Sequence, residues 1–71
     1  MNRAVRIGRV TAFDESGGLG TIEVDGVPYL FHCVEIADGS RTIRVGADVA
    51  FTALDKLGSS EAGGIVTLHA G

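Results

Sequence analysis

The apolar positions of this chain fall in short runs with a period of two, interrupted at intervals by Gly, Asp and Ser. Side chains alternate across a strand, so the pattern predicts half-buried strands rather than helices. Val5 to Phe13 reads as the first strand, with Val5 and Ile7 on one parity and Val10 and Ala12 on the other. The change of phase falls at Gly8-Arg9, where a bulge would let the strand bend as strands do at a barrel corner. Asp14 to Gly18 is a turn by composition. Leu19 to Val24 and Tyr29 to Cys33 flank Asp25-Gly26, a dipeptide that tolerates positive φ, and together they predict an antiparallel hairpin. Val27 and Pro28 leave a longer loop open, because Pro belongs at a strand's first residue or on an edge.

Further along, Ile36 to Gly46 reads as a long loop with turn signals at Asp38-Gly39-Ser40 and Gly46. Asp48 to Leu54 alternates, with Val49, Phe51 and Ala53 on one face, and is the fourth strand. Lys56 to Gly64 reads as a polar connection rich in Gly and Ser, and Ile65 to Leu68 as a short fifth strand that could start at Ala62. No segment keeps an i, i+3, i+4, i+7 apolar pattern, so no appreciable helix is expected. If Leu30 and His32 face outward, Phe31 points inward and joins Phe51 in the core, with Phe13 in the core or half-buried. Five short strands in about 65 residues fit an all-β, five-stranded antiparallel barrel of the oligonucleotide/oligosaccharide-binding (OB) type, which removes exposed edges.

Composition sharpens this picture at a few points. Seventy-one residues make a single domain, 1–71, with a core spanning about residues 5–68. Its single Cys forbids an internal disulfide, and the 45% hydrophobic content lets a packed core hold the fold instead. Apolar runs fall short of the roughly 20 residues of a membrane span. The basic start, Met-Asn-Arg-Ala-Val-Arg, lacks the apolar stretch of a signal peptide, so the expected location is cytoplasmic. A net charge of -3 and a pI near 5.1 weigh against a strong polyanion binder unless the basic residues cluster. They lean that way: Arg3, Arg6 and Arg9 stand near the start, and Arg41 and Arg44 in the middle.

Catalytic chemistry finds little foothold. Cys33 directly follows His32, and a strand would send the two side chains to opposite faces, away from a nucleophile–base contact. One Cys and two His at positions 32, 33 and 69 show no metal-ligand spacing. Gly17-Gly18-Leu19-Gly20 lacks the Lys and Ser/Thr of a phosphate loop, and no helix follows it. Neither an enzyme nor a cofactor or metal is expected.

Four segments together resemble the cold-shock proteins and the cold-shock domain, from about Arg6 to Leu68. Where that family opens with G-K-V-K-W-F-N, this chain has G-R-V-T-A-F-D, Gly8 to Asp14. The motif K-G-F-G-F-I is met by G-G-L-G-T-I, Gly17 to Ile22, and V-F-V-H-F by Y-L-F-H-C, Tyr29 to Cys33. The loop G-F-K-T-L-x-x-G is similar to G-S-R-T-I-R-V-G, Gly39 to Gly46. The resemblance implies the barrel, a single-stranded DNA or RNA ligand, and no cofactor.

It also implies the site, with departures. The family stacks bases on aromatic side chains, whereas the matching positions here hold Ala12, Leu19, Thr21, Leu30, Cys33 and Ser40. Phe13 and His32 match the family, and Arg9 and Arg41 keep the charge of a Lys, while Thr11 and Gly17 do not. Base–aromatic stacking is worth roughly 1–3 kcal/mol per base, so these losses imply weak binding. The expected nucleic-acid contacts are Arg9, Phe13, Leu19, Thr21, Leu30, His32 and Arg41. The alternative expectation is a protein-interaction module that kept the barrel and uses the Leu19/Leu30 patch.

Overall fold

The computed structural model describes residues 4–56 and 58–68, without the side chains at 55 and 56. Arg3 and His69 therefore lie outside the described residues. The elements are β1 (Ala4–Asp14), β2 (Leu19–Val24), β3 (Val27–His32), a 3-10 turn over Cys33–Glu35, β4 (Asp48–Lys56) and β5 (Ser59–Thr67). The strands close into a barrel in the order β1-β2-β3-β5-β4, the all-β, OB-like architecture expected. Among the described residues no helix is long and apolar enough to cross a membrane.

One seam departs from the antiparallel expectation: β3 pairs β5 in parallel, through Leu30 opposite Glu61. Parity requires this. Strand direction alternates around an antiparallel ring, so a closed ring with an odd number of strands must contain a parallel pair.

Barrel closure falls to β1. Its first half, Ala4 to Arg9, pairs β4, and from Arg9 to Asp14 it pairs β2. The handover thus sits where the apolar phase changes. At the crossing a Cβ on Gly8 would lie 2.7 Å from the Glu23 carbonyl oxygen and 2.8 Å from Ile22 and Val24 methyls, so only Gly fits. The bulge is elsewhere than expected. Register runs Val10 to Ile22 and then Ala12 to Thr21, leaving Thr11 as the extra residue. That insertion resets the parity, which is why Val10 is buried and Ala12 is exposed.

The hairpin closes tightly, because Val24 is opposite Val27 and only Asp25 (φ 50) and Gly26 (φ 81) lie between. Both φ values are positive, the signature of a type I′ turn. In such a hairpin the flanking pair is hydrogen-bonded and the next is not, so Pro28, opposite Glu23, turns its missing donor away from β2. The last hairpin pair is Leu19 with His32, and Cys33 opens the 3-10 turn instead of ending the strand.

The expected connection from Lys56 to Gly64 is mostly strand. Lys56 is opposite Ser59, with Gly58 at φ 77, and pairing continues through Thr52 opposite Gly63. It resumes at Ala50 opposite Val66, so Gly64 and Ile65 together oppose Phe51. Gly64 stands at φ 58, the left-handed residue of a glycine bulge. Polar residues made this stretch read as loop, yet a solvated ladder accepts Ser and Glu as readily as apolar side chains.

Val10, Ile22, Phe31, Ile36, Val49, Phe51, Ala62 and Ile65 fill the interior. Phe51 and Phe31 are buried as expected, with Tyr29 tilted against Phe51 at 5.2 Å between ring centroids. Phe13 is half-buried and stacks on Phe31 at 5.9 Å, the rings 2° from parallel. Between their strands sits Gly20, whose Cβ would collide with the Phe31 ring.

Urea unfolding followed by circular dichroism checks this core. Phe51→Ala should cost about 3–5 kcal/mol, most of a small domain's stability. Gly20→Ala should cost about 1–3 kcal/mol by overpacking the Phe31 ring. Val5→Ala, on an exposed side chain, should stay within about 0.5 kcal/mol.

Candidate nucleic-acid interface

Cross-strand register decides which side chains share the outer face of β1, β2 and β3. One row runs Asp14, Leu19, His32, the next Ala12, Thr21, Leu30, and a third Arg9, Glu23, Pro28. The parallel seam extends the middle row to Glu61. Leu19 and Leu30 are 58% and 57% exposed, so two branched apolar side chains stand in water on adjacent strands. Between them lies a shallow depression of about 280 Å³, lined by Ala12, Phe13, Gly20 and Thr21 as well. Small side chains at Ala12 and Thr21 make it a hollow where a larger ring would make a platform.

Four of the expected contacts, Leu19, Thr21, Leu30 and His32, are therefore register neighbours on one surface. Phe13 belongs to the inward row with Gly20 and Phe31, and only the side of the hollow is left to it. Arg9 is on the outer face at its far end. Its Nε donates to Asp48 Oδ1 at 3.2 Å, and Glu23 is its partner across β2. Both ends of that ion pair are more than half exposed, so it adds about 0–1 kcal/mol of stability, yet it commits the guanidinium to a carboxylate.

Arg41 stands apart from the rows, exposed in the long loop at φ 59. Its neighbour Thr42 donates its hydroxyl to Glu15 Oε1 at 2.9 Å. This ties the loop to the turn between β1 and β2, at the same end of the barrel as Asp14, Leu19 and His32. A larger open concavity of about 810 Å³ lies under the same loop, lined by residues including Ile43, Arg44, Asp48 and Leu68, and shares none of the hairpin residues.

The acids on the face went unseen in the linear pattern. Asp14, Glu23 and Glu61 border the two leucines, and Asp48 holds Arg9. Their places follow from the Thr11 bulge and the parallel seam, neither of which leaves a mark in single-residue composition. Asp14 is held below the ordinary carboxylate range first by the Ser16 hydroxyl, which donates at 2.8 Å, then by the backbone N–H groups of Gly17 and Ser16. Asp38 in the long loop is lowered likewise, first by the Ser40 backbone N–H at 2.9 Å.

The expected separation of His32 and Cys33 fails. Because the strand ends at His32, the Cys33 Sγ swings back to 3.8 Å from His32 Nδ1. The thiol also packs on Gly18, whose Cβ would lie 2.8 Å from it. Among the described residues no group of three His, Cys, Asp or Glu is placed to hold a metal ion.

What fold and surface define together is an OB-like barrel with an open face on its β2–β3 hairpin. The chain matches no protein-family model, and no curated protein is significantly similar to it in sequence.

The hydrogen bonds to Asp14 predict a pH signature. A carboxylate whose folded pKa is depressed contributes stability above its unfolded value near 3.8, and loses it as pH falls through the folded value. Asp14→Ala should therefore lower the melting temperature at neutral pH, with the gap to the parent closing at about pH 2. An equal gap at both pH values would show that the carboxylate's charge plays no part.

Proposed function

We propose that this barrel is a cold-shock-like module that binds single-stranded DNA or RNA, weakly and with low sequence preference. The observation that carries the reading is the exposed set Leu19, Thr21, Leu30 and His32, adjacent in register on β2 and β3. That strand pair is the surface on which OB barrels meet oligonucleotides. Unpaired bases would rest on the two leucines and dip into the hollow between them, with Phe13 at its side. His32 would contact base or phosphate, and Arg41, at the rim, a phosphate. Arg9 contributes less than expected from its charge, since Asp48 and Glu23 already surround it. The reading calls for no cofactor, metal or chemical step, and sets the module in the cytoplasm.

Weakness follows from two causes. The stacking aromatics are absent, at roughly 1–3 kcal/mol per base, and the bordering acids oppose a polyanion. The same border favours a second reading, a protein-interaction module whose partner meets Leu19 and Leu30 within an acidic surround.

Fluorescence anisotropy of dye-labelled heptathymidine and a matching RNA, at low and physiological salt, separates the two. The nucleic-acid reading expects salt-sensitive binding in the micromolar range. Leu19→Phe with Thr21→Phe should tighten it about tenfold or more by restoring stacking, and an unchanged affinity would remove the hairpin face from the interface. No binding up to millimolar protein at low salt would overturn the reading. A protein partner whose binding Leu30→Asp abolishes would then support the second.

A further inference from the structure

The rows of the hairpin face present a contradiction to an anionic ligand. Arg9 is their one basic residue, and it is engaged by Asp48 with Glu23 beside it. Asp14 and Glu61 border the remaining positions. Between them stands His32, exposed, at the end of β3. Its Nδ1 faces the Cys33 thiol at 3.8 Å, its Nε2 makes no hydrogen bond among the described residues, and the side chain is exposed.

We infer that His32 is a proton-operated anchor, so that this face takes up a single-stranded nucleic acid more tightly when the imidazole is charged. The inference rests on the nucleic-acid reading above and names how that site is regulated. An imidazole is the side chain whose charge changes between pH 5 and 8. Once protonated, Nε2–H donates a charge-assisted hydrogen bond to a phosphate oxygen, and the rows themselves gain an uncommitted cation. Bound phosphate in turn stabilises the charged ring, so affinity rises as pH falls through the imidazole range and levels off above it.

Among the described residues, the surroundings keep other groups from imitating this response. β2 offers His32 only Leu19, with Asp14 beyond it in the same row. The turn between β1 and β2 brings Glu15, and the 3-10 turn brings Cys33 and Glu35. Glu61 lies across from Leu30 on β5. Carboxylates in general stay ionised at pH 5.5, and Asp14 is held lower still by its hydrogen bonds to Ser16. Thiols in general stay protonated at and below pH 7.5. Arg9 and Arg41 are charged throughout.

The experiment is anisotropy of labelled heptathymidine at constant ionic strength, at pH 7.5 and pH 5.5, with circular dichroism at both to confirm an unchanged fold. The parent protein should bind roughly tenfold tighter at pH 5.5. His32→Gln should bind weakly and equally at both values. His32→Lys, which fixes the charge, should bind tightly at both. A parent protein with the same affinity at both pH values would overturn the inference while leaving the nucleic-acid reading standing. So would a His32→Gln variant as pH-sensitive as the parent, or a His32→Lys variant no tighter than the parent at pH 7.5. Absence of binding by every variant at either pH would instead refute the nucleic-acid reading, and this inference with it.

Discussion

Closing five strands into a ring is the constraint from which most of this structure follows. Every strand of the ring serves two neighbours, and β1 does so by pairing β4 with its first half and β2 with its second. Crossing between them brings backbone against backbone at Gly8, where any side chain would strike Glu23, Ile22 and Val24. The extra residue at Thr11 then turns Val10 into the core and sends Ala12 out. The odd number of strands forces the parallel contact of Leu30 with Glu61, which carries an acid to the edge of the hairpin face. The character of that face is thus a consequence of closure as much as of its own residues.

The elements with strong local signals were legible in the chain itself. Asp25-Gly26 marks its hairpin because few dipeptides accept two positive φ values in succession, and both residues adopt them. The alternation around Val49 and Phe51 announced a buried strand face, and the structure buries both. Harder to read was anything that depends on how two distant strands slide past each other. The bulge at Thr11 and the glycine bulge at Gly64 each insert one residue without a distinctive composition. Ser59, Ser60 and Glu61 look like loop, because a strand lying half in water needs no apolar residues on that side. Missing β5's true start concealed Glu61, and missing the β1–β2 register concealed the setting of Arg9 between two acids. Likewise the contact of His32 with Cys33 depended on the strand stopping one residue earlier than its β-favouring sequence suggested.

Aromatic side chains in this molecule serve the interior. Phe13 stacks on Phe31, Tyr29 leans on Phe51, and Gly20 yields the space that the Phe31 ring occupies. Stacked and tilted ring pairs of this kind add about 0.5–1.5 kcal/mol beyond their buried area. The two outer rows around the hollow are left with leucines, a threonine, an alanine, a histidine and Asp14. A surface of that composition grips planar ligands less firmly than rings would. It retains shape, a hollow between two branched side chains, and a histidine at its border.

The order in which the ring is stitched has a bearing on how the protein is made. β1, β2 and β3 are contiguous, and their hairpin can form as soon as β3 has left the ribosome. The three remaining joints wait for later parts of the chain: Arg9 needs Asp48, Leu30 needs Glu61, and β4 needs β5. Through the synthesis of the long loop and β4, the nascent sheet therefore holds Ile22 and Phe31 without the lid that later covers them. Such a half-built, apolar sheet is the species on which chaperones and premature association compete. The barrel's vulnerable moment is its birth.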